Sequence, residues 1–306
     1  MKLLTEDIKK KAEELGFDLC GVAKARVLSE YEPVIKEWIS KGFHDKMEYL
    51  ARDIPKRLNP EALLSGAKSI VVTGLNYYSE NRQKVPGSPI VSRYAYGIDY
   101  HDVISSKLKK LLEWIKTVET EAEGRITVDS APILEKAWAR EAGLGYPGRN
   151  SIIINKTVGS FFFIGTILLN LELEYDIPAE EDPCGNCRKC IEECPTHAIN
   201  DNRTIDARRC ISNLTIEGRG AIPSEFIPYL EHRIYGCDKC QEVCPRNRNA
   251  RQNKTPEFYM SDEIAGMGPA EWRNLSREQF LKLFGKSPIG RLKYEKFMGN
   301  IEAAAG

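Results

Sequence analysis

Eight of the nine cysteines fall between Cys184 and Cys244, and the densest run is PCGNCRKCIEECP, residues 183–195. The spacing Cys184-x2-Cys187-x2-Cys190-x3-Cys194-Pro195 is the one that bacterial two-cluster carriers use for 4Fe–4S centres. A short loop wraps three thiolates around one face of a cube, and the fourth, beyond a turn, ligates the neighbouring cluster. A second set is therefore required. Cys237-x2-Cys240-x3-Cys244-Pro245 repeats the later part of the motif, and Cys210 is available as its missing member. The count closes at eight thiolates for two cubanes. Cys184, Cys187, Cys190 and Cys244 are expected around one cluster, and Cys194, Cys210, Cys237 and Cys240 around the other. Structural zinc is the competing reading, but it uses separated pairs, often with histidine. Cys20 sits in an apolar stretch and reads as a core thiol, and His197 as a structural residue.

Three further places carry candidate chemistry. Asp129 stands in ITVDSAPILEK, where an apolar strand meets a helix. Desolvation beside a sheet would raise its pKa and suit a general acid; a helix-capping aspartate is the other reading. DYH, residues 99–101, approaches the Asp-x-His-x-x-Gly pattern of histidine-ligated corrinoids, but Ile104 stands where the glycine belongs. That argues against a histidine ligand and leaves other modes of cobalamin binding open. GLGYPG (143–148) matches G-x-G-x-x-G, yet a helix precedes it, extended sequence follows and a proline interrupts it. A pyrophosphate loop needs the reverse order, strand then helix, so nucleotide binding is not expected there.

The elements that position these residues are legible in outline. TEDIKKKAEELG is a helix with Thr5 as its expected N-cap and Gly16 as its stop. FDLCGVAKA and KSIVVTGLNYY (68–78) read as strands, residues 102–118 as an amphipathic helix, and ITVDS as a short strand. PILEKAWAREAG is a helix with proline in its first turn. SIIINK and GSFFFIGTILLN read as two strands meeting near 157–159. Residues 172–182 hold six acids, one proline and no base, a composition shift that marks a domain boundary. The fold class expected is α+β: an α/β-type domain over 1–175 with a mixed sheet flanked by helices, a ferredoxin-like two-cluster domain over 176–255, and a helical tail over 256–306. SREQ (276–279) is a capping box in that tail.

The bulk numbers exclude other classes. The 306 residues carry 44 basic and 44 acidic side chains, so no overall field recruits nucleic acid or membrane. No stretch approaches the roughly 18–20 apolar residues of a membrane span, and MKLLTEDIKKKAEELG is unlike a signal peptide. A soluble, cytoplasmic monomer is expected. A bare electron carrier would need only residues 180–250, so the first domain must hold what receives the electrons.

YGIDYH, VDSAPILEKAWAREAGLGYPGRN, GSFFFIG, the two cysteine motifs, CISNLTIE and YGCDKCQEVCP occur in this order. Together they resemble the epoxyqueuosine reductase family over residues 5–300. The resemblance implies a cobalamin-dependent enzyme that removes the epoxide oxygen of epoxyqueuosine at the wobble position of tRNA, fed by an external electron donor. It implies Asp129 as proton donor. It also implies a cobalamin pocket drawn from Arg57, Tyr94, Asp99, His101, Asn150, Ser160, Ser212 and Asp238. Three departures stand out. Tyr146-Pro147-Gly148-Arg149 replaces the family's Trp-Ile-Gly-Lys, Pro245-Arg246-Asn247 replaces Pro-Trp-Asn, and the C-terminal helical repeats of many members are not expected. On the tRNA side, Arg246, Arg248, Arg251 and Lys254 form an acid-free basic stretch, with Arg219 and Arg208–Arg209 in the same domain. They suit phosphate contacts; a solvated loop is the other reading. The rival functions are a corrinoid reductase of a small molecule, dehalogenase-like, and a non-enzymatic electron-transfer module.

Overall fold

The computed structural model describes residues 2–305. Its centre is a four-stranded sheet ordered β1 (Leu19–Lys24), β2 (Ser69–Asn76), then Phe162–Leu169, then Gly124–Thr127. Chain order makes the remaining strands β3 (Ile90–Val91), β4 (Gly124–Thr127), β5 (Tyr146–Pro147), β6 (Ile153–Ile154), β7 (Phe162–Leu169) and β8 (Arg233–Tyr235). Every residue of β2 is buried because both faces are covered, and its polar residues Ser69, Thr73 and Asn76 all make hydrogen bonds. Ile8 and Ala12 of the helix Lys2–Glu14 and Ile104, Leu108 and Leu111 of Tyr100–Val118 pack with Val71 and Leu75 on one face. Trp138, from the helix Glu135–Glu141, packs with Ile70, Val72 and Leu168 on the other. Gly165 lets the Tyr100 helix come close, because a Cβ there would stand 2.6 Å from Ile104 Cγ2.

A third core joins Val91 and Tyr96 to Ile211, Leu230 and Ile234 and to Trp272, Phe280, Phe284 and Phe297 of the tail. β3 and β8 pair in parallel at its edge. Asn300 Nδ2 donates to the carbonyls of Thr215 and Ile234, so the last helix is tied into the cysteine-rich segment. The Ser276 capping box forms as expected, with Ser276 and Gln279 bonding each other's N–H groups.

The α+β class holds, and several details differ. The central sheet is antiparallel at every pairing rather than mixed. Hydrophobic runs show burial but not strand direction. The first helix begins at Lys2, so Thr5 is not its cap; the Thr5 hydroxyl accepts the Glu174 N–H instead. The helix expected to start near Pro132 starts at Glu135, which leaves 128–134 as a loop. β6 pairs with β5 and not with β7; an isolated Asn155–Gly159 bridge lies in the connection between β6 and β7.

Candidate active site and cluster-binding cysteines

A cavity of about 920 Å³ opens between the edge of the sheet, the cysteine-rich segment and the tail. Trp38, Leu50 and Ile216 supply apolar wall, and Tyr100, His101 and Asp129 stand on it together with Cys194, Cys210, Cys237 and Cys240. Its volume lies at the upper end of small-molecule sites.

One wall is a network of ionisable groups at the start of the Tyr100 helix. Asp99 is the N-cap, and its Oδ1 accepts the His101 N–H at 3.0 Å. The same oxygen lies 2.7 Å from His101 Nδ1, and Arg291 Nε lies 2.7 Å from Asp99 Oδ2. On the far side of the imidazole, His101 Nε2 is 3.5 Å from Asp129 Oδ2. The Tyr100 hydroxyl donates to that oxygen at 2.6 Å. Asp129 follows β4 with φ +57, in the left-handed region. Its backbone N–H donates to Glu135 Oε1 at 2.7 Å.

These contacts set the charges. For His101 burial opposes protonation, but hydrogen bonds to Asp129 and Asp99 outweigh it and push the pKa up to about 9. The hydrogen bond from His101 holds Asp129 below the usual carboxylate range against its desolvation, with Tyr100 helping. The upward shift anticipated for Asp129 is therefore absent; its neighbours keep it ionised. Burial, reinforced by the charge of Asp129, pushes Glu135 up to about 8. The Asp129 side chain is 62 % exposed, yet what it faces is the cavity, so a bound molecule would remove that water. Asp129 caps no helix: Glu135–Glu141 begins after Leu134. With Nδ1 on Asp99 and Nε2 facing Asp129, His101 is not free to ligate a metal, in keeping with the missing glycine at Ile104.

The cysteines separate into two neighbourhoods. Cys190 is pushed up to about 11 by burial and by the charges of Cys184, Cys244 and Cys187. Cys240 is raised by burial and by Cys237 and Cys210, and Cys194 acts on Cys210 in turn. All eight are free thiols, and the one-turn helices Lys189–Glu192 and Lys239–Glu242 that carry the repeated motif pack against each other. Among the described residues no three His, Cys, Asp or Glu side chains are placed to hold a single metal ion. A cubane spreads its irons over four corners and takes its thiolates from farther apart than a tetrahedral zinc does. Two clustered quartets of free, half-buried thiols fit two such centres. Cys20, in β1, is pushed up to about 12 by burial.

Of the other residues picked from sequence, Tyr94, Asn150, Ser212 and Asp238 line the cavity. Arg57, Asp99 and Ser160 are not among its lining residues. Arg57 donates to the Tyr49 carbonyl. The Ser160 hydroxyl receives Gln241 and Asn247 and fixes the second cysteine loop. The Asp238 carboxylate is already engaged by the Ser92 hydroxyl and by the N–H and guanidinium of Arg93. Arg246 donates to the Pro183 carbonyl beside the first quartet, and Arg219, Arg248 and Arg251 are exposed. Tyr100, Glu135, Lys136 and Arg291 went unnoticed in the sequence. Tyr100 and Glu135–Lys136 lie within the YGIDYH and PILEK segments, whereas Arg291 gives no local signal.

Fold and site define a double-cluster iron–sulfur redox protein whose second cysteine quartet opens onto a ligand cavity. Comparison with known proteins narrows the class. The family described as "Epoxyqueuosine reductase QueG, DUF1730" matches residues 57–130, and the "4Fe-4S double cluster binding domain" family matches residues 183–247. The epoxyqueuosine reductase of Leadbetterella byssophila is 46 % identical over 98 % of each chain. A crystal structure of a selenomethionine-labelled epoxyqueuosine reductase superposes with a TM-score of 0.92 at 31 % identity, covering 99 % of this chain and 81 % of that one. Another epoxyqueuosine reductase, solved with an epoxyqueuosine-modified tRNA-Tyr stem loop, gives a TM-score of 0.88 at 30 % identity over 99 % of this chain and 80 % of the other. The chain belongs to the epoxyqueuosine reductase family.

Proposed function

We infer that this chain reduces epoxyqueuosine to queuosine at the wobble position of tRNA, with two 4Fe–4S clusters and cobalamin as cofactors. The observation that carries the reading is the shared cavity: ionisable groups on one wall, the Cys194–Cys210–Cys237–Cys240 quartet on another. Cobalamin, when bound, supplies a low-valent cobalt centre for reductive opening of the epoxide. Tyr94, Asn150 and Ser212 are the cavity residues available to hold it.

Conversion of an epoxide to an alkene consumes two electrons and two protons and releases water. The two cysteine quartets would hold the clusters, which would supply the electrons from an external donor. For the protons, the imidazolium of His101 faces Asp129, and Asp129 faces the cavity. Asp129 takes one proton from that side and passes it to the departing oxygen, and solvent supplies the second to complete the water; Asp99 and Arg291 keep the ring oriented. Tyr100 fixes the carboxylate. The wobble nucleoside enters the cavity, and Arg219, Arg246, Arg248 and Arg251 hold flanking phosphates. Among the described residues no helix is long and apolar enough to cross a membrane, and a tRNA substrate suits a cytoplasmic enzyme.

The test is anaerobic incubation of the cluster-loaded protein with epoxyqueuosine-containing tRNA and a strong reductant, with and without cobalamin, followed by nucleoside mass spectrometry. Cobalamin-dependent loss of one oxygen is expected. An unchanged nucleoside, with clusters and cobalamin both bound, would overturn the reading.

A further inference from the structure

Lys136 is the second residue of the helix Glu135–Glu141, and its side chain enters the cavity. Among the described residues its ammonium has no hydrogen-bond or ion-pair partner; its electrostatic neighbours are Asp129 and Glu135 on one side and Cys240 and Cys210 on the other. The other cations on the wall are committed. Arg291 is bonded to Asp99, Lys239 lies 3.6 Å from Glu193, and His101 sits between two carboxylates. Lys136 is thus the uncompensated cation between the proton-handling groups and the second quartet.

We propose that Lys136 sets the reduction potential of the cluster held by Cys194, Cys210, Cys237 and Cys240, making that cluster easier to reduce. The proposal rests on the cysteine assignment above and not on the identity of the substrate. Each electron that enters a cluster adds one negative charge, and a nearby fixed ammonium stabilises the reduced form. Net charge around the cluster is one of the determinants of its potential. Lys136 is exposed to the open cavity, which keeps its ammonium hydrated; burial by the surrounding wall lowers its pKa, and Asp129, Cys240 and Glu135 favour the charged form. Asp129 does not cancel its field, being paired with His101, and burial favours the neutral form of Glu135. The first quartet does not line the cavity that Lys136 lines, so the smaller effect is expected there.

The test is an anaerobic, EPR-monitored redox titration of the full-length, cluster-loaded chain as wild type, K136M and K136R, without tRNA or cobalamin. K136M is expected to move one of the two midpoints further to more negative potential than the other. K136R is expected to restore it. Two unmoved midpoints would overturn the proposal, as would an equal shift of both, which signals general loosening. If K136M fails to retain iron, K136Q is titrated in its place with the same expectations. Because no substrate is present, failure here is distinct from failure of the deoxygenation reading.

Discussion

His101 Nε2 lies 3.5 Å from Asp129 Oδ2, while Nδ1 of the same ring lies 2.7 Å from Asp99 Oδ1. A single imidazole thus bridges the carboxylate that caps a helix and the carboxylate that faces the cavity. In the mechanism proposed above, the pair makes Asp129 a conduit for a proton stored on His101, not its reservoir.

Asp129→Asn removes that conduit and keeps the side chain's shape. Deoxygenation should fall by roughly 100-fold or more, the usual worth of a positioned acid–base group. Iron content and tRNA affinity should stay at wild-type levels. Single-turnover nucleoside analysis decides it, and near-normal turnover would remove Asp129 from the chemistry.

The raised pKa of His101 makes a signed prediction. Its folded-state value is about 9 against a reference of 6.5. Its stabilising contribution is therefore complete below about pH 6.5 and is lost as pH rises through about 9. The thermal midpoint of wild type should exceed that of His101→Gln most at mildly acidic pH, and the gap should close above about pH 9. Wild-type turnover should decline over the same alkaline range. A gap that widens with pH would contradict the assignment.

Cysteine substitutions sort the ligands. Cys194→Ala and Cys210→Ala should each remove the cavity-side cluster and leave the same residual EPR signal, with about half the iron. Cys190→Ala and Cys244→Ala should leave the complementary signal. A Cys194→Ala spectrum that matched that of Cys190→Ala would show the quartets to be exchanged.

Arg246→Glu with Arg248→Glu should weaken tRNA binding and lower its salt dependence, by about one unit of slope for each phosphate that is no longer neutralised. Filter binding at several salt concentrations reads it. Unchanged affinity at physiological salt, with Arg219→Glu still weakening binding, would confine the tRNA site to the Arg219 side.

Arg93 is 2 % exposed, with Nη1 at 3.3 Å from Asp238 and 2.8 Å from Glu242. Arg93→Met removes the buried cation that opposes the burial-raised pKa of Asp238 and should cost roughly 3–5 kcal/mol. A clearly lowered unfolding midpoint in anaerobic denaturant is expected. An unchanged midpoint would mean that Asp238 accepts a proton at little cost.

The cysteine motifs were readable because cluster ligation is a local constraint: three thiols of one quartet sit on one short loop, and the loop's length is written in the chain. The runs that became β2 and β7 were readable because a strand covered on both faces is largely apolar. Other features depend on where distant segments meet. Strand direction, which made the sheet antiparallel, follows from connections that hydrophobicity does not record. The sequence pointed to Asp129, but its low pKa comes from Tyr100 and His101 arriving from another helix. Arg291 reaches Asp99 only because the tail packs back on the cluster segment. Lys136 looks like any surface lysine until the cavity closes around it. Sequence by itself determined which groups could carry electrons and protons. Tertiary structure decided which of them share a wall, because charge acts through space and not along the chain.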